Sequence, residues 1–408
     1  MEIEKVNKVL QCRIYPTKEQ KITVWKTFGC CRKTWNELLS ERIESNQLLG
    51  GVLFDNTSPK HLKKKFPYLK EVDSLALANV QMDLNRACLR QFPKGKTPNF
   101  KSKAKDKRSY TTNVVNNNIR FIHVSDTQNY IRLPKLGDVK IIIHCNIPGK
   151  WVLKHVTLKE TASGKFYISL VFETYQKKPQ TIDKVDPDKV EALDFSMKNL
   201  MVSMSGLFDI TQDEIQWYRK LEDKIAHAQH VLSRMEYGSN NYWKQCHKLG
   251  ELHEKAANRR KDFMHKLSKK MAEMFDVVCV EDLDMQNMSR CLNFGKSTLD
   301  NGFGMFRRLL LYKLHAQGKI LVKANKWFAS SQLCSTCGYK NPETKDLNVR
   351  AWVCPQCGAV HDRDKNACKN LKNYAIDLAN RWADGDRLSV GLTPEGVLHE
   401  LTSKEVAQ

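Results

Sequence analysis

Two pairs of cysteines restrict this chain more than any other feature. Cys334-Ser-Thr-Cys337 and Cys354-Pro-Gln-Cys357 are separated by sixteen residues. Each Cys-x-x-Cys turn offers two thiolates on one side, and two such turns at this distance close a tetrahedron around one zinc ion, as in a zinc ribbon. Gly338 and Gly358 follow the pairs, where the turn needs a residue tolerant of positive φ. The alternative is four buried or disulfide-bonded cysteines. The remaining cysteines mostly stand singly, among them Cys12, Cys88, Cys145 and Cys279, and the total of thirteen is odd. Lone thiols acting as small core residues suit a reducing cytosol, so a cytoplasmic location is expected and disulfides are not. Four thiolates leave no open coordination position, so a zinc ion here is structural.

A ribbon does not define a function, but the charge narrows it. Lys and Arg total 67 against 45 acids, a net +22 with a pI near 9.4. Such a surplus calls for a polyanionic partner, nucleic acid before anionic membrane. No apolar run approaches the roughly 18–20 residues of a spanning helix. The first residues, MEIEKVNKVLQCRIYP, carry early acids and no apolar core, unlike a signal peptide. A length of 408 residues with 41% hydrophobic content is enough for two or three domains with cores of their own.

Along the chain, 6–15 reads as a strand closed by Pro16. Thr17 and Gln20 then form a capping box opening a helix whose apolar face is Trp25, Phe28, Trp35 and Leu38. Residues 40–104 read as mostly helical, best over 73–92, with Leu77, Val80, Leu84 and Leu89 as the stripe. Five short strands within 110–175 suggest a small antiparallel barrel, and 176–189 a linker. Beyond it come a buried strand VEALDF, a neighbour LMVSMSG, and two long helices over about 212–236 and 243–274. They are followed by a strand at 275–280, a helix at 305–316, a strand at 320–324 and a last helix over 365–382. Residues 383–408 lack periodicity and are expected to fray or stay disordered.

Three acids occupy exceptional positions. Asp194 and Glu281 each end an apolar strand, and Asp364 stands where the last helix begins. An acid closing a buried strand is costly unless a cation meets it. Three of them converging form an oxygen-ligand site for divalent ions, which activate water and steady the leaving oxygen of a phosphodiester. Singly, each acid is more often a strand-end or cap residue. Asp282, Asp284 and Asp362 are neighbours, with Asp362 the main rival to Asp364.

The stretches ALDFSMKNLMV, VVCVEDLDMQNM and VRAWVCPQCGAVHDRDKNACKNL resemble the three RuvC motifs of the transposon TnpB family. Ser196 stands where glycine is common. NRRKDFMHKLS, SSQLCSTCG, RIYPTKEQ, GCCRKTWN, NNNIRF and RLPKLG resemble the family as well, so the likeness covers about residues 6–380. It implies an α/β multidomain protein with a RuvC (RNase H-like) nuclease core over 190–330 and 361–382, interrupted by the zinc ribbon at 331–360. It also implies a wedge β-barrel over 1–35 and 105–180 carrying a helical recognition insert at 36–104, joined to the core by a linker at 181–189. The implied triad is Asp194, Glu281 and Asp364 holding Mg2+ (or Mn2+), in an RNA-guided endonuclease for double-stranded DNA. The guide RNA would come from the transposon end.

Nine Lys or Arg lie between Arg86 and Arg108 against the single acid Asp106. Lys94, Lys96, Lys101, Lys103 and Lys105 are therefore candidate phosphate contacts, as are Arg259 and Arg260 on the second long helix. The bland alternative is a solvated face. In the family a short DNA motif beside the target is read near 74–78 and 115–116 of this numbering. Asn116 is either a reader of an adenine edge or a turn residue. Phe263 and Leu267 are expected in the core, not as base-stacking platforms. Two other functions compete: a guided DNA-binding regulator that does not cut, and a transposase using the same acids for strand transfer.

Overall fold

Residues 3–15 alternate polar and apolar and form strand β1 (Ile3–Tyr15), its burial alternating in step. The computed structural model describes residues 3–49, 58–104, 107–125, 128–177, 185–195, 201–210, 216–282, 303–346, 348–386, 389–394 and 396–401. They divide into two units, residues 1–177 with 235–251, and 178–234 with 252–408.

In the first unit β1 leads into helix α1 (Lys18–Leu49) through the expected capping box. Gln20 N donates to Thr17 Oγ1 at 3.3 Å, and Thr17 N to Gln20 Oε1 at 3.0 Å. Helices α2 (Pro59–Lys65) and α3 (Ser74–Gln91) follow, α3 capped by Asp73. Strands β2 (Ser109–Asn113), β3 (Arg120–Ser125), β4 (Gln128–Leu133), β5 (Gly137–Ile142), β6 (Val152–Glu160) and β7 (Phe166–Lys177) join β1 in one sheet. Its order is β2-β6-β7-β1-β5-β4-β3, with antiparallel pairing throughout. Val24, Phe28, Leu38 and Leu39 of α1 and Leu77, Leu84 and Cys88 of α3 share one core with this sheet.

The described strands form a sheet whose ends, β2 and β3, are not hydrogen-bonded to each other, so the barrel is not closed by pairing. The boundary expected after residue 35 falls inside the continuous α1. Two side chains, Trp25 and Leu89, lie outside the core expected of them. Trp25 is 46% exposed, its indole donating to Glu160 Oε2 at 3.1 Å, and Val24 takes the core position. Leu89 is exposed, because Cys88, one turn beyond Leu84, completes the α3 stripe.

The second unit is built on β8 (Val190–Asp194), β9 (Val202–Ser203), β10 (Val277–Glu281), β11 (Ile320–Ala324), β14 (Val390–Leu392) and β15 (Val397–Glu400). The order is β14-β15-β11-β10-β8-β9. Strands β8, β10, β11 and β15 run parallel, with β9 and β14 antiparallel at the edges. Helices α4 (Gln216–Ser233) and α5 (Asn240–Met274) precede β10, and α6 (Phe303–His315) precedes β11. A small hairpin, β12 (Ala351–Val353) with β13 (Val360–Asp362), leads into α7 (Arg363–Ala383).

The parallel strands are buried on both faces, as their unbroken apolar sequences require. One face packs on Met264 and Met271 of α5 and Phe306 and Leu310 of α6, with Phe263 and Leu267 at the margin of the same core. The other packs on Leu371, Ala375 and Leu378 of α7. Residues 389–394 and 396–401 correct the expectation of a frayed tail: β14 and β15 extend the sheet, Leu321 pairing with Val397. Residues 402–408 lie outside the described residues. Among the described residues no helix is long and apolar enough to cross a membrane.

Candidate metal centres

Parallel pairing brings Asp194 and Glu281 together. Val280 registers against Leu193, so the acid following each stands beside the other at the carboxyl ends of β8 and β10. Asp364 comes from the first turn of α7, which packs across both strands. The competing Asp362 is exposed, and it caps α7 by accepting from Lys365 N at 2.9 Å. Asp284 and Ser196 lie outside the described residues. Asp282 lies within 2.9 Å of Lys323 Nζ and 3.8 Å of an Arg307 guanidinium nitrogen.

Glu281 and Asp364 both act on Asp194. Burial, then the charges of Glu281 and Asp364, hold the Asp194 carboxyl well above the usual range, with Arg363 and Arg350 pulling the other way. Burial likewise raises Glu281, opposed by Ser330 and Arg363. Ser330 Oγ donates to Glu281 Oε1 at 2.7 Å. Arg350 reaches both Asp364 oxygens at 3.3 Å. The three carboxylates thus share one end of the sheet, though among the described residues they do not form a close metal-ligand group of the kind the cysteines form.

Sequence reasoning did not single out the residues that hold these groups in place. Asn370 of α7 donates to the carbonyls of Ser330, at 2.8 Å, and Leu333, at 2.7 Å. Asn366 donates to Leu333 O at 2.6 Å and accepts from Ser335 N at 3.0 Å. The helix that carries Asp364 thus clamps the loop that supports Glu281. Their spacing of one helical turn was visible as a shared face, though nothing local announced the loop it would meet.

The cysteine cluster is built locally. Gly338 N donates to Cys334 O at 2.8 Å and Gly358 N to Cys354 O at 2.9 Å, with φ of 78° and 72° at the two glycines. The sulfurs of Cys334 and Cys357, and of Cys337 and Cys354, lie 3.6 Å apart, too far for disulfides. All four ligand atoms lie within 4.8 Å of one another, the one such group of three or more His, Cys, Asp or Glu among the described residues. Burial disfavours the Cys334 thiolate. The backbone N–H groups of Cys337 and Thr336, with His361 at 3.0 Å, outweigh it and hold the thiol down at about 5. Four cysteines so placed are consistent with structural zinc.

The candidate nucleic-acid contacts lie elsewhere. Lys94, Lys96 and Lys103 are exposed in the segment after α3, and Lys105 lies outside the described residues. Lys101 is part of a strap across α1: its backbone N–H and carbonyl pair with the Asn36 amide at 2.8 and 2.9 Å, and its Nζ sits 4.3 Å from the Trp35 ring centroid. Asn116 is exposed in a left-handed turn, φ 49°, beside Asn117 at 56°. Arg259 is exposed and Arg260 half-buried on α5.

Residues 173–292 match the family described as "Probable transposase", 303–371 the "Cas12f1-like, TNB domain", and 1–47 a "Helix-turn-helix domain". The last stretch is folded here as strand β1 and the single helix α1. A Streptomyces pristinaespiralis protein named "Putative RNA-guided DNA endonuclease" is 30% identical over 94% of this chain and 93% of its own. "Putative RNA-guided DNA endonuclease InsQ" of Escherichia coli strain K12 is 26% identical over 88% and 90%. Among solved structures, a chain of a Cas12f1–sgRNA–target DNA complex shares the fold, with a TM-score of 0.57 and 13% identity over 90% of this chain and 99% of that one. With two acids at adjacent parallel strand ends, a cysteine cluster ahead of the third, and near full-length relatives of this kind, the chain belongs to the TnpB family.

Proposed function

We propose that this protein is an RNA-guided endonuclease that cuts double-stranded DNA next to a short adjacent motif, in the service of a transposable element and in the cytosol. The observation that carries the proposal is the placing of Asp194 and Glu281 side by side at the carboxyl ends of β8 and β10, with Asp364 presented by α7 across both strands. Without a cation, that charge arrangement only costs stability. The naming of the near full-length relatives as RNA-guided DNA endonucleases supports it. In this proposal the second unit is a RuvC core with an inserted zinc ribbon, and the first a wedge with a helical insert.

Asp194, Glu281 and Asp364 would hold magnesium or manganese, and the ions when bound supply an activated water and charge relief at the leaving oxygen. Ser330 orients Glu281, and Arg350 holds Asp364 until the site is filled. Lys94, Lys96, Lys103, Lys105, Arg259 and Arg260 are proposed phosphate contacts, with Lys101 sharing that role with its strap. Base pairing with a guide RNA selects the target.

The test is a plasmid-cutting assay beside a target-binding assay, with protein carrying its copurified RNA. Asp194→Ala, Glu281→Ala and Asp364→Ala should each abolish cutting and leave guided binding within about twofold, because ligands of one cluster act as a unit. Chelation should reproduce the variants. Robust cutting by Asp194→Ala would place the chemistry elsewhere. A wild type that binds its guided target and never cuts would establish the regulator in its place.

A further inference from the structure

Strands β11 and β15 and one side of α6 line an open cavity of about 680 Å³, which Asp282, the residue after Glu281, borders. Among the described residues Arg307, Arg308, Lys323 and Lys326 line it with two acids, Asp282 and Glu400, so permanent cations outnumber carboxylates there. On its rim stands Trp327, 85% exposed. An indole this bare forgoes the burial that normally justifies so large an apolar ring.

The exposure belongs to a well-fastened loop. Trp327 N donates to Asn325 Oδ1 at 3.0 Å, and the Asn325 amide donates to Glu400 Oε2 at 3.1 Å. Phe328, the next residue, turns inward onto Tyr374 with ring centroids 4.7 Å apart. Three residues beyond Trp327, Ser330 supports Glu281. Lys326 Nζ lies 5.6 Å from the Trp327 ring centroid. The loop begins directly after Ala324, which registers against Glu281 in the neighbouring strand.

A fixed, outward aromatic face flanked by cations in a concave surface suits an unpaired nucleotide: the base stacks and its phosphates meet the charges. A duplex keeps its base faces stacked internally and offers no such partner. We propose that Trp327 is a stacking platform for an unpaired base of the DNA strand led to Asp194, Glu281 and Asp364, with adjacent phosphates on Arg308 and Lys326. This rests on the nuclease reading above and adds the residue that positions the strand on its way to the acids. Trp327 acts as a positioning residue.

The test uses the guide-loaded protein in chelator, so that nothing is cut. A twelve-nucleotide oligothymidylate is titrated while tryptophan emission and affinity are followed, with oligouridylate as a second arm. Trp327→Ala should bind the DNA oligomer about tenfold more weakly, the size of one base–aromatic stack, and lose most of the emission quench. Trp327→Phe should lose the quench as well but recover most of the affinity, which a merely structural defect would not do. With magnesium restored, Trp327→Ala should need more DNA for half-maximal cutting at an unchanged melting temperature. Wild-type affinity and quench in Trp327→Ala would overturn the platform, as would an effect confined to the RNA oligomer or to protein partners. If the platform effect is found and the guided plasmid is never cut, the nuclease reading fails alone. If wild type cuts and Trp327→Ala matches it in binding and cutting, the platform fails alone.

Discussion

The cysteine cluster and the carboxylate cluster lie in the same unit and are assembled in opposite ways. Two short turns, each closed by its own backbone hydrogen bonds, bring four sulfurs within 4.8 Å of one another. The carboxylates come from two strands and a helix that meet only after the parallel sheet has formed and α7 has crossed it. A local cluster of thiolates around zinc contributes folding energy where it stands. A cluster of like charges assembled by a sheet opposes that sheet wherever no cation offsets it. Removing a thiolate should therefore unmake structure, and removing a carboxylate should unmake only chemistry.

The largest expected effect follows directly. Cys354→Ser should lose the zinc and melt the ribbon, since binding in small zinc peptides is worth on the order of 10 kcal/mol. The contacts of Asn366 with Ser335 and Leu333 would loosen with it, so cutting should fall as well. Elemental analysis and amide exchange over 331–360 read the result. Asp194→Ala, measured in the same way without magnesium, should keep its zinc and melt no lower than wild type. A comparable loss of stability in both variants would break the contrast between the clusters.

The same contrast decides what was legible in the sequence. The ribbon could be read from spacing alone, because its four ligands and two turn glycines sit within one short stretch. The strand ends at Asp194 and Glu281 were legible for a related reason: unbroken apolar runs mark buried parallel strands, and an acid closing one is conspicuous. Their settings grouped these two with Asp364, and the family resemblance made that grouping specific, since which strands neighbour one another is a long-range property. Ser330 and Asn370 were not legible, because their partners, Glu281 and the 330–335 loop, are distant in sequence. Strands β14 and β15, three and four residues long, are too short to show a period; the sheet edge defines them. Barrel closure is a similar point, for it depends on how β2 and β3 end, not on either strand's pattern.

Within β8 the contrast can be sharpened between two acids on one strand. Glu191 is fully buried, and its carboxylate accepts from Ala192 N and Met204 N at 2.9 Å and from Ser205 N at 3.3 Å, with the Ser205 hydroxyl as a further donor. Asp194 meets carboxylates where Glu191 meets donors. Glu191→Ala should therefore lower unfolding free energy by about 3 kcal/mol, the cost of stranding several buried N–H groups. Urea unfolding of Glu191→Ala beside Asp194→Ala measures the difference. Equal and small effects would mean that the turn after β8 finds other acceptors, and the distinction between the two acids would be lost.

The smallest effect belongs to the hydroxyl that links the carboxylates to the ribbon side of the unit. Ser330 contributes a single hydrogen bond to Glu281, and the loop around it stays anchored through backbone carbonyls that Asn370 holds. Ser330→Ala removes the hydroxyl and leaves those anchors. A hydrogen bond to a charged group contributes about 1.5–3 kcal/mol, so cutting should slow by roughly tenfold or somewhat more. Zinc content and melting temperature should match wild type. Single-turnover cutting at saturating magnesium isolates the term. A loss as deep as that of Glu281→Ala would make Ser330 a participant in the chemistry itself. Unchanged cutting would show that Glu281 is aligned by its strand alone, and that the carboxylate cluster owes nothing to the loop leading into the ribbon.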